Sequence, residues 1–90
     1  TSLENALRDI KEMGLTLLGA DGDAKTPVRN IDFTPPTAVI MGSEGEGLRP
    51  HITRLLDDTF QIEQKGQVES FNVSVATGII LYEIFVQRNK

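Results

Sequence analysis

Leu3, Ala6, Leu7, Ile10 and Met13 recur at the three- and four-residue spacing of one helical face. Ser2 precedes them as a suitable N-cap, and Gly14 follows where a left-handed C-cap belongs. Leu15–Gly19 is a short apolar run containing a β-branched residue, too brief for a helix, and predicts a strand. Residues 20–37 lack periodicity and carry Asp21-Gly22-Asp23 and Pro35-Pro36. They predict a loop long enough to bind or cover something. Thr37–Met41 is a continuous apolar run bounded by prolines and a glycine, the clearest buried strand of the chain. After the glycine cluster 42–47, Leu48, Ile52, Leu55 and Leu56 give a second helical face, with Pro50 tolerated in its first turn. Thr59–Ile62 predicts a third strand and Glu63–Glu69 a polar loop around Gly66. Phe71–Arg88 is the longest predicted helix. Val73, Ala76, Ile80 and Ile84 share one of its faces, and Val75, Ile79, Tyr82 and Val86 lie nearly opposite, so burial on two sides is expected. The order α-β-loop-β-α-β-α, with buried runs as strands, predicts an α/β fold: a mainly parallel sheet flanked by helices.

Composition narrows the function classes. Leu, Ile, Val and Phe fill 27 of 90 positions, enough for one domain with a real core. No apolar run approaches the ~20 residues of a membrane span, and no basic region followed by an apolar one opens the chain as a secretory signal would. A cytoplasmic protein is the expectation, with an organellar version left open. Zero cysteines exclude disulfides, thiolate metal sites and a cysteine nucleophile; a single histidine, His51, excludes a histidine-rich metal centre. The net charge of −4 is the opposite of what a chain that captures nucleic acid by itself carries. An RNA role must then rest on a few placed residues or on further parts of a larger protein. The chain opens at Thr1 without Met, which is consistent with a fragment.

Two segments carry candidate chemistry. The buried strand runs straight into Val39-Ile40-Met41-Gly42-Ser43-Glu44-Gly45-Glu46-Gly47-Leu48-Arg49-Pro50. Glycines there let backbone groups approach a ligand closely, and the carboxyl ends of parallel strands are where open α/β sheets bind ligands. It is neither a P-loop nor a dinucleotide fingerprint, because the Gly-Lys-Ser/Thr ending and the glycine spacing are absent; a flexible turn with solvated glutamates is the alternative. In the second segment, Gln67–Ser74, the polar residues Ser70, Asn72 and Ser74 crowd a helix start. Capping explains one of them. Arg49 and Arg54 are candidate contacts for an RNA phosphate or simply a solvated helix face. His51 reads better as a surface histidine than as a general base, and Asp21 and Asp23 as a turn rather than a calcium loop.

VIMGSEGEGLRP at 39–50 and IEQKGQVESFNVSVATGIILYE at 62–83 resemble the second and third motifs of the SpoU/TrmH family, RNA ribose 2′-O-methyltransferases of the SPOUT superfamily. The resemblance covers about half the chain strongly, and the two motifs stand in the family's order at a fitting distance. It implies a parallel α/β sheet whose C-terminal part forms a trefoil knot, S-adenosylmethionine held largely by main-chain groups, and a homodimer packed through the knot region. Carried over by position, Gly42, Ile62 and Phe71 would bind the cofactor, and Glu44, Ser70 and Asn72 match polar positions of the active site. The substrate implied is a ribose 2′-hydroxyl of ribosomal or transfer RNA, bound through the full-length protein, with no metal. Three departures stand out: Glu63-Gln64 replace a usual Pro-Met, Phe71 replaces a leucine, and the first motif, with its catalytic arginine, has no counterpart among Arg8, Arg29, Arg49, Arg54 and Arg88. Residues 1–90 therefore read as the C-terminal portion of a methyltransferase domain, truncated and weak or inactive alone. The rival reading is a non-catalytic dimerisation or ligand-binding module that keeps the fold and has lost the reaction.

Overall fold

The computed structural model describes residues 2–42, 47–63 and 72–90. Strands β1 (Thr16–Ala20), β2 (Thr37–Met41) and β3 (Asp58–Phe60) form a parallel sheet in the order β2-β1-β3. Thr16 stands opposite Thr37 and Ala20 opposite Met41; on the other side Ala20 stands opposite Phe60. Helices α1 (Ser2–Glu12), α2 (Pro50–Thr53) and α3 (Val73–Arg88) and a 3-10 turn at Val28–Asn30 complete the described elements.

Two-residue alternation along the strands divides the core. Leu17 faces the side where Leu7 of α1, Ile52 of α2 and the half-buried Ala38, Ile40, Leu55 and Leu56 gather. Leu18 faces the other side, with Phe60, Ile80 of α3 and the half-buried Val39 and Met41. Val28, Ile31 and Phe33 of the β1–β2 connection fill this second cluster, and the Phe33 ring meets Phe60 edge-on at 5.5 Å. The stretch read as a loop is thus a layer of the core. Its apolar residues escape a periodicity search because they sit on a turn rather than on a regular element.

The two crossovers run on opposite faces: the β1–β2 connection on the Phe33 side, the β2–β3 connection with α2 on the Leu7 side. Chain direction across the sheet therefore reverses at β1, and the crevice between the carboxyl ends of β1 and β3 is a topological switch point.

Several expectations shift. Ser2 is itself helical and not a cap, and Leu3 and Met13 are exposed, so α1 buries Leu7 with Ile10 half-covered. β2 is an edge strand and only half-buried throughout, whereas β1, paired on both sides, is the buried one. The helix expected around Leu48–Leu56 is a single turn, because Leu55 and Leu56 already lie in the turn that leads to β3. The third strand ends at Phe60; Gln61 instead bridges to Pro27, and Ile62 follows. Most of the Glu63–Glu69 loop, and Phe71 at the expected start of the last helix, lie outside the described residues.

α3 buries Ile80 and part of Ile84, but Val73, Val75, Leu81, Tyr82 and Phe85 are exposed. Tyr82 and Phe85 are thus surface residues of this chain, and of the expected second stripe Ile79 and Val86 are half-buried at its flank. The last turn of α3 grips the β1–β2 connection. Phe33 N donates to Gln87 Oε1 at 2.7 Å, Gln87 Nε2 donates to Ile31 O at 2.7 Å, and Arg88 donates to Phe33 O and Pro35 O, both at 2.9 Å.

Candidate functional site

The carboxyl edge of the sheet is assembled by its own ladder. Gly42 N donates to Ala20 O at 3.3 Å and Asp21 N donates to Phe60 O at 2.9 Å, so Ala20-Asp21 joins the exit of β2 to that of β3. Gly42 thus directly follows β2 and Ile62 lies two residues past β3, on either side of β1. Ile62 is half-buried against the Phe33–Phe60 cluster. Phe71, the third expected cofactor residue, lies outside the described residues, as do Glu44 and Ser70.

Gly42 is where the chain needs a glycine. A Cβ there would stand 2.8 Å from the carbonyl carbon of Gly47 and 3.0 Å from its Cα, closer than real side chains come. Gly47 has φ +67°, in the left-handed region that glycine enters without penalty. The two glycines thus lie backbone against backbone. The Asp21 carboxylate stands over Gly47, its Oδ1 3.1 Å from where a Cβ would be, and also accepts from Asp23 N at 2.9 Å. The turn read at Asp21–Asp23 is present, and it brings a carboxylate to the switch point. Sequence reasoning did not assign that position, because nothing local links Asp21 to Gly47.

Asn72 is the N-cap of α3: its Oδ1 accepts from Val75 N at 2.9 Å. Capping is therefore one role of this residue, and its amide donor end is what it can offer a ligand. Arg49 and Arg54 flank α2 as its N-cap and C-cap, both exposed and at opposite ends of the helical turn rather than side by side on a helix face. His51 lies 3.8 Å from Glu4 of α1, on the α1–α2 side. At the exit of β3, the Glu63 carboxylate pairs with the Arg29 guanidinium of the 3-10 turn.

Among the described residues, two carboxyl groups are held below the usual carboxylate range, and both lie away from this edge. Leu17 N donates to Asp57 at the start of β1, Lys11 adds to that effect, and desolvation opposes it. The Thr34 hydroxyl, then its N–H, does the same for Asp32.

A side chain at position 42 would collide with the backbone of Gly47–Leu48, so the chain at this end of the edge is packed backbone against backbone, with the Asp21 carboxylate nearby.

Comparison with known proteins decides the family: the model of the SpoU rRNA Methylase family matches residues 1–82. The chain belongs to the SpoU rRNA Methylase family. An uncharacterised tRNA/rRNA methyltransferase of Mycobacterium leprae is 43% identical over 88 residues, 98% of this chain and 28% of the relative. A 23S rRNA (guanosine-2′-O-)-methyltransferase of Photobacterium profundum is 40% identical over 98% of this chain and 36% of its own length. The chain spans about a third of the length of these curated relatives. Among solved structures, an RNA 2′-O ribose methyltransferase superposes with a TM-score of 0.86 at 33% identity, covering 94% of this chain and 33% of that one. The SpoU methyltransferase AviRb of Streptomyces viridochromogenes, solved in complex with AdoMet, superposes at 0.81 with 31% identity over 97% of this chain and 35% of that one. The α/β architecture with a parallel sheet is thus that of SpoU-family enzymes. The family match stops at Tyr82, so the Gln87–Arg88 grip lies beyond it.

Proposed function

We propose that this chain is the cofactor-binding, C-terminal part of an S-adenosylmethionine-dependent methyltransferase that modifies a ribose 2′-hydroxyl of ribosomal or transfer RNA. The observation that supports the reading is that Gly42 and Ile62, the described ends of the two motifs, follow the two parallel strands that flank β1, on the carboxyl side of the sheet. S-adenosylmethionine, when bound, supplies an electrophilic methyl group on a sulfonium. Main-chain groups of Gly42, Ile62 and Phe71 hold it, and the fold closes as a trefoil knot around them. Glu44 and Asn72 orient donor and ribose, Ser70 supports them, and removal of the hydroxyl proton is the general-base part of the chemistry. Arg49 and Arg54 contact RNA phosphates. The protein works in the cytoplasm or an organelle as a homodimer through the exposed face of α3, without a metal.

Because none of its arginines matches the family's catalytic one, the 90-residue chain alone binds cofactor but transfers methyl groups slowly or not at all. Losing such a group commonly lowers a rate by about two to four orders of magnitude. Calorimetric titration with S-adenosylhomocysteine tests binding. A tritiated-methyl assay on bulk RNA, run with this chain and with a version extended by its N-terminal half, tests transfer. Binding by both and transfer only by the extended protein is expected. Robust transfer by the short chain would refute the account of the missing arginine. No binding by either would leave the non-catalytic module as the reading.

A further inference from the structure

Position 63 is one of the places where the chain departs from the motif it resembles: Glu63 stands where that resemblance implies a proline. A proline fixes the backbone through its ring, holding φ near −65° and restraining the residue before it. Here the residue before is Ile62. Without the ring, the direction in which the chain leaves β3 must be set otherwise, and three contacts converge there. Gln61 N donates to Thr26 O at 2.8 Å, Val28 N donates to Gln61 O at 2.7 Å, and one residue further on the Glu63 carboxylate meets Arg29. Among the described residues the backbone pairing ends at Gln61, and the ion pair extends the attachment past Ile62 to the next residue.

We propose that the Arg29–Glu63 ion pair is a positioning device for the cofactor site, doing with two charges what a proline does with a ring. It orients the main chain at Ile62 for binding of an adenosyl ligand. The inference rests on the reading under Proposed function. Arg29 and Glu63 are positioning residues: they act through Ile62 and need not touch the ligand. Their side chains are 64% and 41% exposed, and exposed pairs add little to global stability. Substitution should therefore move ligand affinity while leaving the melting temperature almost unchanged.

The test is calorimetric titration of the full chain with S-adenosylhomocysteine, in low and high salt, with thermal melting as the folding control. Arg29→Ala and Glu63→Ala should each weaken binding roughly three- to fivefold. The charge-reversed double variant, Arg29→Glu with Glu63→Arg, should recover most of the loss. In about 1 M salt, where screening reaches a few ångströms, the wild type should fall toward the single variants. Glu63→Pro should bind at least as well as wild type, independently of the pair, so that adding Arg29→Ala to it changes nothing. Wild-type binding with unchanged affinity in both single variants overturns the inference and leaves the functional reading intact. Loss in the single variants without recovery in the reversed pair also overturns it, since Arg29 or Glu63 would then be acting individually. No binding by the wild type removes the functional reading first and the inference with it.

Discussion

Asn72 has two roles that substitution can separate. Its Oδ1 caps α3 through Val75 N, and asparagine and aspartate cap almost equally well, whereas alanine loses about 1 kcal/mol. Asn72→Asp should hence keep the denaturation midpoint, and Asn72→Ala should lower it. If Asn72 also orients ribose or donor, both variants should lose methyl transfer in the extended protein; unimpaired transfer by Asn72→Asp would reduce the residue to a cap. Gly42→Ala is the complementary case. The new methyl meets the backbone of Gly47 at 2.8–3.0 Å, so a loss of about 1–3 kcal/mol is expected from overpacking, read by urea denaturation, and cofactor affinity should fall with it. The strand exit at Gly42 was legible in the sequence, because an apolar run stops at a glycine there; that this glycine packs against Gly47 was not. Asp21 over Gly47 and Arg29 beside Glu63 were not, because each pair joins segments far apart in the chain that only the crossovers bring together.

Secondary-structure elements were legible in kind and less so in burial. TAVIM and the run around Leu17 both read as strands, but which one is central depends on the order of pairing, and no single segment carries that information. Val28, Ile31 and Phe33 were missed as core for a related reason: they sit on the 3-10 turn Val28–Asn30 and the irregular segment after it, held in place from outside by α3. Gln87 is the side chain that holds it. Gln87→Ala removes the acceptor for Phe33 N and the donor to Ile31 O and Glu83 Oε2, and should cost about 1–3 kcal/mol, the penalty for leaving polar groups beside a buried ring unsatisfied; Gln87→Glu, which sets a carboxylate against the Glu83 carboxylate and the Ile31 carbonyl, should cost at least as much. Equal stability of all three proteins would contradict that account. A second tie, at the other end of the sheet, is pH-dependent. Asp57 takes the Leu17 N–H at 2.8 Å and lies 3.4 Å from Lys11, and its carboxyl titrates below its ordinary value. A depressed folded-state pKa stabilises the fold above the unfolded value, near pH 4, and the contribution disappears as pH falls through the folded value. Wild type should therefore exceed Asp57→Asn in stability at neutral pH, and the gap should close in acid. Parallel pH profiles would rule this out.

At the scale of the molecule, α3 is the element with unmatched surface. Leu81, Tyr82 and Phe85 are at least 60% exposed, and the two rings stack with centroids 6.3 Å apart. Sedimentation should find a dimer at micromolar concentration for the wild type and a monomer for Leu81→Glu; a monomeric wild type would refute self-association through this face. The same helix meets the rest of the described chain mainly through Ile80, Ile84, Gln87 and Arg88, against the segment from Val28 to Pro35. That narrow attachment has a dynamic consequence. Amide protection in proteins is shared by cooperative units that open together, and here α3 and the Val28–Pro35 segment form one such unit, laid over the sheet. Their amides should exchange with a common opening free energy, below that of β1, and the Phe33 amide should lose protection in step with the interior of α3. Dimerisation through Tyr82 and Phe85 would slow that exchange.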